Sequence, residues 1–246
     1  MDAVFLGTNG WYDSVTGNTI SIVIRADDFD VVLDAGYGIA KLDRYTAPGR
    51  GTFLFLSHFH LDHIVGLHTL CKLRLGKLTV CGPAGTRTVL DTIMNQPFTV
   101  PLNGLPYPTA VCELPDEGAS LPFPVEARPL LHASLTLGYR FRFAGHTIAY
   151  CPDTGYCENA IRLAAGADLL IAECAYREGR SNEAWPHLNP ETAARIAVDA
   201  GAKRLALVHF DAVEYASPAD RREAEAVARR TFPSAFAAMD DAVLEL

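Results

Sequence analysis

No stretch of this 246-residue chain is apolar for long enough to cross a membrane. The apolar run at its start is cut by Gly7-Thr8-Asn9-Gly10, so nothing suggests export, and cytoplasmic residence is the default expectation. Positive charge is also scarce. The 21 lysines and arginines face 29 acidic residues, so general attraction to nucleic acid or anionic lipid is not expected. The six cysteines, at 71, 81, 112, 151, 157 and 174, include no Cys-x-x-Cys pair. Most lie in apolar strings such as Leu78-Thr79-Val80-Cys81, which predicts buried free thiols instead of a disulfide framework. Repeats of fixed period and low-complexity segments are absent.

What is present is an ordinary globular composition, half apolar and one-fifth charged, read as a single domain over residues 1–246. Short β-branched and apolar runs predict strands at Ala3–Leu6, Ile20–Arg25, Asp30–Leu33, Thr52–Leu56 and Leu78–Cys81. A helix is expected to start near Asp62 and another to cover Gly85–Met94, entered through a turn at Gly82-Pro83-Ala84-Gly85. Residues Asn95–Pro108, rich in Pro, Asn and Gly, read as a loop. Further strands are expected at Ala110–Leu114, Val125–Leu131, Leu135–Phe143, His146–Cys151, Leu169–Ala172, Ala202–Val208 and Ala242–Leu246. Helices are expected at Glu158–Ala165, Pro190–Ala200 and Pro218–Arg230, with Pro190 in a first turn where its missing N–H costs nothing. Two β-rich halves with helices outside them imply an α/β protein, a four-layer αββα sandwich.

The densest chemistry is Ser57-His58-Phe59-His60-Leu61-Asp62-His63. His58 and His60 are two apart at the end of an extended strand, so their side chains share one side. Asp62 and His63 follow at the turn into a helix, giving four residues of metal-ligand type within six positions. Imidazole nitrogen and carboxylate oxygen suit zinc, manganese or iron.

The pattern His-x-His-x-Asp-His resembles the metallo-β-lactamase superfamily, over nearly the whole chain. The resemblance implies three further ligands at strand ends: His132 after Pro129-Leu130-Leu131, Asp153 in Cys151-Pro152-Asp153-Thr154, and His209 after Ala206-Leu207-Val208. It implies two divalent ions, zinc first and manganese or iron as alternatives. His58, His60 and His132 would hold one, Asp62, His63 and His209 the other, with Asp153 bridging. Two such ions outweigh two carboxylates, giving an acidic protein a cationic pocket suited to an anionic ester. Asp34, ending Val31-Val32-Leu33, resembles an aspartate that orients a ligand histidine, and a turn role is as well supported.

The family includes lactamases, thioesterases, lactonases and phosphodiesterases, so fold alone does not choose a reaction. Glu173, ending Ile171-Ala172, and His187, in Trp185-Pro186-His187, resemble the glutamate–histidine pair of the ribonuclease Z branch. There the histidine serves as general acid; with Asp62 they form the catalytic set that the resemblance implies. The alternative is that Glu173 pairs with an arginine and His187 caps the helix at Pro190. Between His132 and Asp153 there is room for one hairpin and none for the RNA-gripping arm of the short ribonuclease Z. In this the chain is similar to the arm-less phosphodiesterase of phosphonate breakdown. The expected reaction is hydrolysis of a small or nucleotide-like phosphodiester, with RNA not favoured as a partner and a homodimer left open. The alternatives are an arm-less transfer RNA 3′-processing nuclease and a lactone or thioester hydrolase. His68 reads as packed or surface, His146 as exposed in a hairpin turn, and Trp11 and Tyr12 as early-loop packing, the alternative being that they face the pocket mouth and stack on a base or sugar.

Overall fold

Alternation along the strands sends every second side chain to a different layer. Residues 1–246 are described by the computed structural model, the side chain of Ala119 excepted. In chain order the strands are β1 (Asp2–Gly7), β2 (Asn9–Gly10), β3 (Ser21–Arg25), β4 (Phe29–Leu33), β5 (Gly51–Phe55), β6 (Lys77–Pro83) and β7 (Thr109–Leu114). They continue as β8 (Val125–Pro129), β9 (Leu137–Phe143), β10 (His146–Cys151), β11 (Leu169–Glu173), β12 (Leu205–Val208), β13 (Phe210–Asp211), β14 (Ala235–Ala237) and β15 (Val243–Glu245). The α-helices are α1 (Leu61–Ile64), α2 (Thr86–Ile93), α3 (Glu158–Ala164), α4 (Pro190–Ala200) and α5 (Pro218–Arg229).

One sheet has the order β15-β1-β3-β4-β5-β6-β7 and the other β14-β12-β11-β10-β9-β8, while β13 and β2 form a small parallel pair. Phe55, Ile22 and Ile24 of the first sheet meet Tyr139, Phe141 and Ile171 of the second in a central apolar layer. The opposite-facing residues of each sheet fill two outer layers. Leu54, Val23 and Val80 pack with Leu67 and Leu90 on one side, and Leu170, Ala172 and Leu207 with Ala193 and Ile196 on the other. The four-layer αββα arrangement is thus the one the strand pattern implied.

The helices facing the second sheet are closed by local chemistry. Asn189 and Thr192 form a reciprocal capping box at α4, whose last turn ends on left-handed Gly201 (φ 62°). Ser217 and Asp220 do the same at α5. The helix expected from Asp62 is shorter than the sequence suggests: one α-turn, then a 3-10 segment over Val65–Lys72. Gly66 there donates to Ala35 O at 2.8 Å, and a Cβ would meet Gly36 O at 2.3 Å, so close packing tightens the coil.

The expected strands Val125–Leu131 and Leu135–Phe143 stop at Pro129 and start at Leu137, because the intervening residues bend to present His132. The start of Ala202–Val208 likewise moves to Leu205. Elements not expected from the sequence include 3-10 helices over Tyr37–Arg44, Leu102–Gly104 and Gly118–Ser120, the β2–β13 pair and the three-residue β14. His146 is half-buried as the first residue of β10, not exposed in the turn. All six cysteines are free; Cys71 is exposed and Cys157 half-buried, the other four buried as expected.

Candidate metal centre and pocket

Strands β4, β5 and β6 run parallel, as do β10, β11 and β12, so their carboxyl ends gather at one rim of the sandwich. His58 and His60 follow β5, Asp62 and His63 lie in α1, His132 follows β8, Asp153 follows β10 and His209 follows β12. The fold brings all seven into one place. Donor atoms of His58, His60, His132 and Asp153 lie within 4.8 Å of one another, and those of Asp62, His63 and His209 form a second such group.

Asp153 stands between the two groups. Its Oδ2 is 3.8 Å from His58 Nε2 and 3.7 Å from His132 Nε2, while its Oδ1 is 3.1 Å from His63 Nε2 and 3.2 Å from His209 Nε2. Asp62 Oδ2 lies 3.2 Å from His209 Nε2.

The hydrogen bonds on the far ring nitrogens decide what faces inward. His63 Nδ1 donates to Asp34 Oδ2 at 2.8 Å, and His58 Nδ1 donates to Ser57 Oγ at 2.9 Å, which in turn donates to the same Asp34 oxygen. His132 Nδ1 points at Pro186 O, 3.3 Å away. With the far nitrogen so engaged, each ring turns Nε2 toward the Asp153 carboxylate, and a divalent cation between them would bind both.

The buried atoms that face the cluster agree: His58 Nε2 and Asp153 Oδ1 have no hydrogen-bond partner. Proton affinities point the same way. Burial opposes a charge on His63, yet the carboxylates of Asp153, Asp62 and Asp34 raise it well above the usual imidazole range. Burial likewise opposes ionisation of Asp153, but His209 and His63 hold it well below the carboxylate range. The residues present therefore fit divalent cations.

Asp34 resolves in favour of the orienting role: it accepts from Ser57 N (2.7 Å), Ser57 Oγ (2.8 Å), His63 and Tyr150 Oη (2.6 Å), all buried. Tyr150 was not foreseen, since in the sequence it is one more apolar residue of a strand. The backbone is left-handed at Asp34 (φ 57°), His209 (φ 54°) and Trp11 (φ 67°). Such conformations cost on the order of 1–3 kcal/mol each and persist where the surroundings fix them. Gly10 lies against the His209 ring; a Cβ there would come within 2.5 Å of His209 Cε1.

Glu173 and His187 pair directly. His187 Nδ1 donates to Glu173 Oε1 at 2.7 Å, and the same oxygen accepts the Thr154 N–H at 2.6 Å, tying the pair to the turn that carries Asp153. Helix α4 is capped by Asn189, not by His187. Burial opposes a charge on His187, but the Glu173 carboxylate more than offsets it and raises the group to about 9. His187 faces the cluster, its ring centroid 5.2 Å from that of His132 and 6.1 Å from that of His209.

The cavity above the cluster holds about 600 Å³ and is lined by Asp62, Asp153, His187 and His209 together with Trp11 and Trp185. Trp11 follows the alternative reading and not loop packing: the residue is 59% exposed and borders the pocket, and its backbone N–H donates to Asp62 Oδ2 at 2.8 Å. His68 is exposed and bonded to Val65 O, away from the cluster. No helix is long and apolar enough to cross a membrane, among the described residues.

A family model described as the beta-lactamase superfamily domain matches residues 30–210. The probable metallo-hydrolase YhfI of Bacillus subtilis (strain 168) is 26% identical over 218 residues, covering 85% of this chain and 87% of that protein. Its crystal structure superposes with a TM-score of 0.79 over 100% of this chain and 98% of that one, at 22% identity. Ribonuclease Z of Bacillus licheniformis is 27% identical over 98% of this chain and 97% of its own length. That alignment runs to 311 positions against a chain of 246, so the ribonuclease carries inserted segments absent here. A diphosphatase from the PhnP family shares the fold at 17% identity and a TM-score of 0.72, over 100% of this chain and 97% of that one. With this match over most of its length, and a donor cluster able to hold metal, the chain belongs to the beta-lactamase superfamily, among its metallo-hydrolases, with ribonuclease Z as a relative.

Proposed function

We propose that the protein is a dinuclear metal-dependent phosphodiesterase acting on a small or nucleotide-like phosphodiester. His58, His60, His132 and Asp153 Oδ2 would hold one divalent ion, and Asp62, His63, His209 and Asp153 Oδ1 the other, with zinc the first choice. When bound, such a pair supplies a water activated for attack and positive charge against the phosphoryl oxygens.

The protein's own groups supply the rest. Asp62 lines the pocket beside the donor cluster, where its Oδ2, 3.2 Å from His209 Nε2, would be the proton acceptor of the catalytic set. His187, kept charged by Glu173, can donate the proton at Nε2 that the departing alkoxide oxygen needs. That buried Glu173–His187 pair is the single observation carrying the phosphodiester reading: alkoxide departure calls for an acid, and here one is held beside the donor cluster.

The test is hydrolysis of bis-p-nitrophenyl phosphate by protein loaded with zinc or manganese. His187→Ala is expected to slow turnover with metal content unchanged, and failure to cleave any diester across several metals overturns the reading.

A second reading, transfer RNA 3′ processing, draws support from the full-length match to ribonuclease Z. Against it, β9 and β10 are joined by a tight turn at Ala144-Gly145, leaving no arm. Clean cleavage of a precursor carrying a 3′ trailer would establish it.

A further inference from the structure

The chain has two tryptophans, and both stand at the mouth of the pocket. Neither belongs to any of the three apolar layers. Their rings lie 6.4 Å apart at an interplanar angle of 10°, and Trp185 continues the row onto His60, 5.5 Å away at 4°. Three near-parallel rings therefore lead from a metal-ligand histidine out to solvent.

Both indoles are anchored through their backbones. Trp185 O accepts from Tyr176 Oη at 2.7 Å and Trp185 N donates to Asn182 Oδ1 at 3.3 Å, while Trp11 N is bound to Asp62 in a left-handed conformation. A large aromatic face held in place while exposed loses little freedom when something stacks on it. The same cavity carries polar groups at its edge, Arg180, Asn182 and Asp211, which suit a planar ring with hydrogen-bonding edges better than a hydrocarbon.

We infer that Trp11 and Trp185 form a base-stacking subsite, so that the preferred substrate is a nucleoside phosphodiester whose nucleobase lies on the indoles while its phosphate meets the donor cluster. Both walls are a single contact from ligand residues, His60 and Asp62, which matches the short reach between a phosphate and its own nucleoside base. Stacking of this kind tolerates any base, because each has a π-face. The inference rests on the phosphodiester reading and makes it specific.

Because both tryptophans lie here, tryptophan emission reports on this pocket alone. Metal-loaded protein would be titrated with thymidine 5′-monophosphate and with ribose 5-phosphate, by fluorescence and by calorimetry. The nucleotide is expected to quench saturably and to bind at least about ten-fold tighter. Trp11→Leu and Trp185→Leu, which keep apolar bulk, are expected to remove most of that advantage and to leave ribose 5-phosphate binding within about two-fold. Equal affinities in the unaltered protein overturn the inference, as do variants that weaken both phosphates alike. The two readings separate cleanly: nucleotide preference without cleavage of any diester keeps the subsite and removes the phosphodiesterase, and cleavage without preference does the reverse.

Discussion

His63 Nδ1 and Asp34 Oδ2 meet at 2.8 Å, with both side chains wholly buried beneath the donor cluster. The contact fixes which nitrogen of His63 faces Asp153, and the same oxygen takes the Ser57 hydroxyl that holds His58. One carboxylate thereby orients a histidine in each of the two groups. Asp34→Asn is expected to weaken metal retention about 10–100-fold, the usual effect of removing such a partner. Competition with a chromogenic chelator measures it.

Glu173→Gln keeps an oxygen for the Thr154 and His187 donors but removes the charge. The sign follows from what the charge does: burial lowers the affinity of His187 for its proton and Glu173 raises it, to about 9. An acid of this kind works while protonated and fails as pH rises past its pKa. The variant should therefore shift the alkaline limb of the kcat/KM profile to lower pH. A profile that drops uniformly, with no movement of the limb, would show that the pair does not govern the acid.

Gly10→Ala acts on the second donor group alone. The added methyl would press on the His209 ring, which reaches Asp62 and Asp153, and leave the His58, His60 and His132 side untouched. Metal analysis after exhaustive dialysis should find the content falling from two ions towards one per chain.

Arg221 on α5 is fully buried. Its guanidinium donates to Thr8 Oγ1 at 2.6 Å and to Asn9 Oδ1, and lies 4.8 Å over the Phe210 ring. Since Asn9 pairs with Phe210, this one side chain joins α5 to both segments of the β2–β13 pair, which lead to Trp11 and flank His209. Arg221→Met should destabilise the protein by about 1–3 kcal/mol, the cost of stranding a buried acceptor. Urea unfolding with and without the substitution checks it.

Much of the donor cluster could be read from the sequence because its residues sit at or just beyond the ends of strands, and strands announce themselves by apolar runs. His58 through His63 is legible locally, and His132, Asp153 and His209 through resemblance. The supporting residues are less so. Tyr150 carries its function in one hydroxyl at the end of a buried ring, which no strand pattern distinguishes from packing. Trp11 and Trp185 are 174 positions apart in sequence and meet only in the folded chain, where Asp62 holds the backbone of one and Tyr176 and Asn182 that of the other. The 3-10 helix over Tyr37–Arg44 and the three-residue β14 were missed because short elements owe their shape to neighbours more than to their own residues.

Each donor group draws on both sheets: His58, His60, Asp62 and His63 come after β5 of one, and His132, Asp153 and His209 from strand ends of the other. A cation seated in either group is a stitch across the seam of the sandwich as well as a reagent, and its affinity adds to the cohesion of the two halves. Under the proposed function, selection for catalysis and selection for a closed fold would act on the same seven side chains, so a substitution that loosens the stitch would weaken both together.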